Sequence, residues 1–181
     1  HNLCGFSITI KGFISLLKKV FRSLIALGFT LSVSLSAFQA NAGFGFNDLY
    51  VATDVEAGIT GADVDESIKQ LAISEGILHV AMFPLSKQVE KVTGSPYRHL
   101  SIHNICDAKT ASLLADVSDA FVIVMPCRIA VVEGKDGVVR MWSMNPAMIT
   151  MMQMPEEQQR LAKMIAGKMQ NIINGAAEGA F

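Results

Sequence analysis

Short apolar runs that alternate with polar residues recur along the chain and predict β-strands. These runs cover residues 49–55, 77–82, 97–105, 128–133 and 138–143. The last two flank a segment bounded by Gly134 and Gly137, which is typical of a β-hairpin turn because glycine adopts positive φ without strain. Residues 120–125 form a further apolar run, and residues 84–92 predict a loop or a short helix.

Helical periodicity separates the predicted strands. Asp63 and Glu66 have the spacing of a capping box, and the helix that they predict ends near Gly76. Residues 108–115 predict a second helix, and Pro155 and Gly175 frame a long third one with a single apolar stripe. Hairpins mixed with helices predict an α+β fold, in which a mostly antiparallel sheet is covered by helices on one face.

The first 42 residues predict a secretory signal peptide together with residues upstream of it. Lys18, Lys19 and Arg22 precede a stretch, residues 23–47, that contains no charged residue, and Ala40-Asn41-Ala42 provides a cleavage site after Ala42. The export signal predicts a periplasmic location for residues 43–181. An uncleaved membrane anchor is the alternative, since the uncharged stretch is long enough to span a bilayer. Serines and other polar residues interrupt the stretch, which favours cleavage.

Residues 43–181 predict a single domain of moderate acidity. Residues 1–42 hold four of the 15 Lys and Arg residues and none of the 16 Asp and Glu residues, which leaves 11 basic against 16 acidic residues and a net charge of −5. A chain of this length fits one hydrophobic core. The acidity excludes the basic footprint of a nucleic-acid-binding protein.

Two segments around the cysteines resemble a known family. Asn104-Ile105-Cys106-Asp107 precedes a predicted helix, and residues 125–133, which begin Met-Pro-Cys-Arg, lead into the hairpin. This pattern resembles the bacterial family called domain of unknown function 302, over about residues 63–152, with the helix 155–174 added at the C-terminus. The resemblance implies a TATA-binding-protein-like fold, with a curved antiparallel sheet packed against two main helices, and often a homodimer. It implies no activity, because function does not follow from fold.

Cys106 and Cys127 are the two cysteines of residues 43–181. An oxidising compartment favours a disulfide between them. Two buried thiols that pack as small hydrophobic groups are a second possibility. A third is a soft-metal ligand pair or a reactive thiol, for which Cys127 is the better candidate because the Arg128 guanidinium would stabilise its thiolate.

Three histidines are weak candidates for a metal site. In a strand over residues 97–105, His99, Ser101 and His103 share one face, and the two histidines lie about 13 Å apart at about 3.3 Å per residue. That distance is too long for both to bind one ion, although His79 on a neighbouring strand could supply a partner for one of them. Satisfied surface or core histidines are the alternative.

Methionines are concentrated between residues 141 and 154. Met144 and Met148 are candidate thioether ligands for a soft ion such as Cu(I). The alternative, which the spacing favours, is that Met141 lies in a strand while Met144, Met148 and the next methionines form an apolar helical stripe.

Together these features favour an exported binding or accessory protein without enzymatic activity, for a small apolar, haem-like or soft-metal ligand. The candidate contacts are Cys106, Cys127, Arg128 and His103, and no cofactor is identified. The alternatives are a thiol redox protein that uses Cys127, for example in sulfur-compound chemistry, and a purely structural dimerising module. No hydrolase or phosphate-binding motif is present in the sequence.

Overall fold

Five antiparallel strands form one curved sheet in the order β1-β5-β4-β3-β2. The computed structural model describes residues 45–151 and 153–181. The strands are β1 (Tyr50–Asp54), β2 (Leu78–Phe83), β3 (Leu100–Cys106), β4 (Cys127–Glu133) and β5 (Val139–Met144). With the helices packed against this sheet, the predicted α+β class is confirmed.

Among the described residues, five helices accompany the sheet. They are α1 (Gly61–Ser74), α2 (Leu85–Thr93), α3 (Ala108–Ala115), α4 (Ala147–Met151) and α5 (Glu156–Ala177). Short 3-10 helices cover Phe46–Asp48 and Asp119–Val124, so the apolar run at 120–125 is helical rather than a strand. The segment at 84–92, for which a loop or a helix was open, forms α2.

Helix α1 begins three residues before the predicted position. Its N-cap is Thr60, whose hydroxyl accepts from the Asp63 backbone N–H, while the Asp63 carboxylate accepts from the Thr60 N–H at 2.9 Å. The prediction that Asp63 caps the helix and Glu66 completes the box was therefore wrong. Thr60 and Asp63 have the same spacing as Asp63 and Glu66. The capping box forms at the earlier pair because the helix already begins at Gly61.

The hydrophobic core lies between the sheet and the pair α1 and α5. Side chains alternate across each strand, so every strand presents a core face and an outer face. The fully buried core side chains include Ile68 of α1, Ile129 of β4 and Ile172 of α5. On β3 the core face consists of Ser101, His103 and Ile105. Polar residues thus occupy part of a surface that is otherwise apolar.

The β4–β5 hairpin forms where the sequence predicts it. Gly137 adopts a φ of 77°, a conformation that other residues rarely take. Arg140 of β5 bonds to both carboxylate oxygens of Asp136 in the turn, at 3.1 and 2.8 Å, and also to Asp54 of β1 at 2.8 Å. The guanidinium therefore ties the turn to the edge strand β1.

Residues 45–181 form one compact unit. The predicted signal peptide, residues 1–42, lies outside the described residues, and its cleavage stays a prediction. Among the described residues, no helix combines the length and the apolarity needed to cross a bilayer.

Candidate functional site

A large cavity lies at one end of the sheet, where β1 and β4 begin and β3 and β5 end. We call it the end cavity. It has a volume of about 880 Å³ and is bounded by α3, the 3-10 helix Asp119–Val124 and the part of α5 from Ala162 to Ile173. Its lining residues come from both faces of the sheet, so the cavity extends around the strand ends. Most of the lining is apolar; the large side chains include Phe121, Trp142 and Ile165.

Both cysteines line the end cavity as free, half-buried thiols. In the register of β3 and β4, Cys127 is paired with Ile105, so Cys106 lies one residue further along and on the opposite face of the sheet. This register does not favour a disulfide. Burial raises the pKa of Cys106, and the charge of Asp107 raises it further. Burial also raises the pKa of Cys127, so both groups stay protonated thiols at neutral pH.

Arg128 provides a positive charge at the end cavity. Of the described residues that line it, only Asp107 and Arg128 are charged. The Asp107 carboxylate caps α3 by accepting from the Thr110 N–H at 2.8 Å. No side chain in the described part of the protein forms a hydrogen bond or ion pair with the Arg128 guanidinium. The cavity therefore combines an apolar interior with one available cation.

The methionines do not form the predicted helical stripe. Met141 lies in β5 and is buried in the core, as expected for a strand residue. Met144 is the last residue of β5 and lines the end cavity with 42 % of its surface exposed. The break at Asn145 and Pro146 separates it from α4, where Met148 is half-buried. The helical stripe from Met144 was wrong because the strand continues through that residue.

A buried polar cluster lies away from the end cavity, between α1 and the core face of β3. We call it the polar cluster; its members are Asp65, His79, His99, Ser101 and His103. The carboxylate of Asp65 accepts from the Ser101 hydroxyl and from His103 Nε2 at 2.8 Å. Its second oxygen lies 3.1 Å from His99 Nε2, out of line for a hydrogen bond.

Asp65 stays ionised in this setting. Burial by itself raises the pKa of Asp65, but the hydrogen bonds from His103 and Ser101, together with the charges of the nearby histidines, lower it below its usual value. His103 is fully buried and Ser101 almost so. A carboxylate that has three polar neighbours in the core is a fixed negative charge, held on α1 against β3.

His79 extends the polar cluster to the edge of the sheet. Its Nε2 lies 2.9 Å from His103 Nδ1 across the β2–β3 pair. A bulge between His79 and Ala81 shifts the register, so that His79 pairs with Ile105 while Met82 pairs with His103. The extra residue lets His79 and Met82, which are three positions apart, both place their side chains on the core face.

The predicted site residues are therefore divided between two places. Cys106, Cys127, Arg128 and Met144 surround the end cavity, whereas His79, His99 and His103 belong to the polar cluster. Within residues 45–151 and 153–181, no three His, Cys, Asp or Glu side chains converge as a metal site requires. The metal candidates stay predictions from the sequence.

Asp65 is the residue that sequence reasoning missed. It lies between Asp63 and Glu66, where an acidic residue resembles one more exposed charge of a helix N-terminus. One signal was available. Val64 and Ile68 mark the buried side of the helix. Asp65, one residue before Glu66, lies three residues before Ile68, and residues three apart share a helix face. The spacing therefore places Asp65 on the buried side.

Comparison with known proteins identifies a family and a fold. The model of the family described as "Domain of unknown function DUF302" matches residues 53–176. No curated protein matches the chain. A solved structure, an uncharacterized conserved protein DUF302 from Bacillus stearothermophilus, is similar at 15 % identity with a TM-score of 0.58, over 70 % of this chain and 96 % of that one. At this identity the likeness concerns the fold alone.

Proposed function

Because the chain belongs to the DUF302 family, whose designation assigns no activity, we propose from its own geometry that it is an exported protein whose end cavity binds a small apolar ligand without converting it. The end cavity carries the proposal. Its volume of about 880 Å³ falls within the range of about 300–1,000 Å³ that is usual for small-molecule sites. Apolar walls favour a ligand whose transfer from water is driven by the hydrophobic effect.

Arg128 narrows the class of ligand to an apolar molecule that carries an acidic group. The guanidinium has no described partner, and a carboxylate would pair with it through two parallel hydrogen bonds. A fatty-acid-like molecule and a haem-like molecule with propionates both satisfy this requirement. The thiols of Cys106 and Cys127 and the thioether of Met144 would also offer soft contacts to a metal within such a ligand.

The raised pKa values of both cysteines favour binding over thiol redox chemistry. A redox thiol reacts as its thiolate, which a low pKa provides. Burial raises the pKa of Cys106 and of Cys127 instead. Arg128 makes no contact with the Cys127 sulfur that lowers its pKa. A double variant with serine at both positions would retain a bound ligand if the protein is a binder.

The proposal is tested by calorimetric titration of residues 43–181 with dodecanoate, and with haem in a parallel experiment. We expect at least one of the two to bind with a stoichiometry of one. The variant Ala166→Phe fills the cavity from α5 and should weaken binding by about tenfold or more, since each 1.4 kcal/mol is a factor of ten. Lys163→Phe is the matched control, because Lys163 is exposed on the same helix and does not line the cavity.

Arg128→Gln tests the contribution of the positive charge to binding separately from that of the apolar cavity. It should weaken dodecanoate binding by about 10- to 100-fold, as expected for charge-assisted hydrogen bonding of about 1.5–3 kcal/mol, and leave the binding of uncharged dodecanol unaffected. If neither dodecanoate nor haem binds, or if Ala166→Phe and Lys163→Phe bind equally well, the proposal is wrong. The homodimer that the resemblance implies is a separate proposal, which light scattering on the same material tests.

A further inference from the structure

We propose that Asp65, His103 and His79 form a proton relay that makes the His79 imidazole a general base at the edge of the sheet, for a ligand with a hydroxyl or thiol group. The three side chains are joined by hydrogen bonds of 2.8 Å between Asp65 and His103 and 2.9 Å between His103 and His79. The relay is independent of the end cavity and of the ligand proposed for it.

The tautomers of the relay follow from the ionised carboxylate. A carboxylate only accepts hydrogen bonds, so His103 Nε2 carries the proton that it shares with Asp65. The relay that we propose requires a neutral His103, whose lone pair is on Nδ1, so that His79 Nε2 donates to it. The remaining ring nitrogen, His79 Nδ1, therefore holds a lone pair.

The position of His79 matches the role of a base. His103 is fully buried, whereas His79 is only half-buried and lies on β2, the edge strand of the sheet. The bulge beside it turns its imidazole toward His103 and breaks the regular pairing of the strand. Bulges of this kind occur near active sites, where they redirect one side chain.

Burial is the main cause that keeps His79 neutral in the resting protein, and neighbouring charges modify its pKa. These charges come from Asp65, Glu66 and Lys69 on α1 and from His103 on β3. Burial lowers the pKa of His79, repulsion from the protonated form of His103 and from Lys69 lowers it further, and the two carboxylates oppose these effects. At neutral pH the lone pair on Nδ1 is therefore available.

The proton transfer balances without any other reactant. A ligand group X–H gives its proton to His79 Nδ1 and leaves as X⁻. The Nε2 proton of His79 is then shared with His103 Nδ1, and the positive charge on the two imidazoles lies opposite the Asp65 carboxylate. This carboxylate does not touch the ligand; Asp65 and His103 are positioning residues that orient His79 and stabilise its protonated form.

Nitrogen-15 NMR of the histidine rings tests the relay in residues 43–181. In the wild type we expect His79 to carry its proton on Nε2 at pH 7.5 or above, with Nδ1 unprotonated. Asp65→Asn removes the charge at the far end of the relay and should lower the pKa of His79 by about one pH unit. Glu66→Gln is the matched control, since Glu66 also faces His79 but lies outside the hydrogen-bonded chain.

Chemical modification gives a second readout that requires no variant. Diethyl pyrocarbonate acylates neutral imidazoles, and we expect His79 to react at pH 7 while the buried His103 does not. The proposal is overturned if His79 carries its proton on Nδ1, or if it is not modified. It is also overturned if Asp65→Asn and Glu66→Gln change the pKa of His79 equally. Should Asp65→Asn fail to fold, the wild-type tautomer and the modification pattern still decide.

Discussion

Removal of the Asp65 carboxylate is expected to be the most destabilising single change in the polar cluster. Asp65→Ala eliminates two hydrogen bonds, from Ser101 and His103, and leaves both donors buried without a partner. Hydrogen bonds to a charged group contribute about 1.5–3 kcal/mol each, so the free energy of unfolding should fall by about 3–5 kcal/mol. A domain of this size has a total of about 5–15 kcal/mol.

Urea unfolding followed by the fluorescence of Trp142 and by circular dichroism measures this loss. Glu66→Ala is the control, because Glu66 is an exposed carboxylate on the next residue of the same helix, with a surface ion pair to Lys69 and an exposed hydrogen bond from Gln70. We expect a clearly smaller loss from the control. A loss below about 1 kcal/mol for Asp65→Ala would refute the reasoning, since it would mean that the buried donors find other partners.

The same variant predicts a pH dependence. The pKa of Asp65 is lower in the folded protein than in the unfolded chain, so its ionised form stabilises the fold at every pH above the unfolded value of about 3.9. This contribution is lost as the pH falls through the lowered pKa. The difference in free energy of unfolding between wild type and Asp65→Ala should therefore shrink below about pH 4. Above about pH 5 it should be constant over any pH range in which the histidines keep one protonation state.

Further predictions concern two glycines and one ion pair. A β-carbon at Gly61 would lie 2.4 Å from His99 Cδ2, so Gly61→Ala should destabilise the protein by about 1–3 kcal/mol. Gly167 has open space around it, and Gly167→Ala should instead stabilise α5 by up to about 1 kcal/mol; thermal unfolding compares the two, and equal effects would contradict the packing. The hydrogen bonds from Arg140 lower the pKa of Asp136 to about 2, and Arg140→Gln should return it toward 3.8 in an NMR titration.

Features that depend on local sequence were well predicted. The hairpin follows from Gly137, because few other residues adopt its φ, and the helix at 108–115 was predicted with the bounds that α3 has. The strand alternation correctly placed Ser101 and His103 on one face, and His99, just before β3, lies beside the same Asp65 carboxylate. The prediction failed where local signals were ambiguous. At the start of α1, two pairs of residues have the spacing of a capping box, and the N-cap was assigned to the wrong pair.

The sequence by itself determined the hydrophobic periodicity of each segment, the class of fold and the family. These features depend on residues within a few positions of one another. Only the tertiary structure decided that Asp65 meets His103, 38 residues away, and that Ile105 rather than Cys106 lies opposite Cys127. Strand register and the bulge beside His79 set both contacts, and a shift of one residue exchanges the two faces of a strand. Such pairings depend on the packing of the whole core, which no local pattern records.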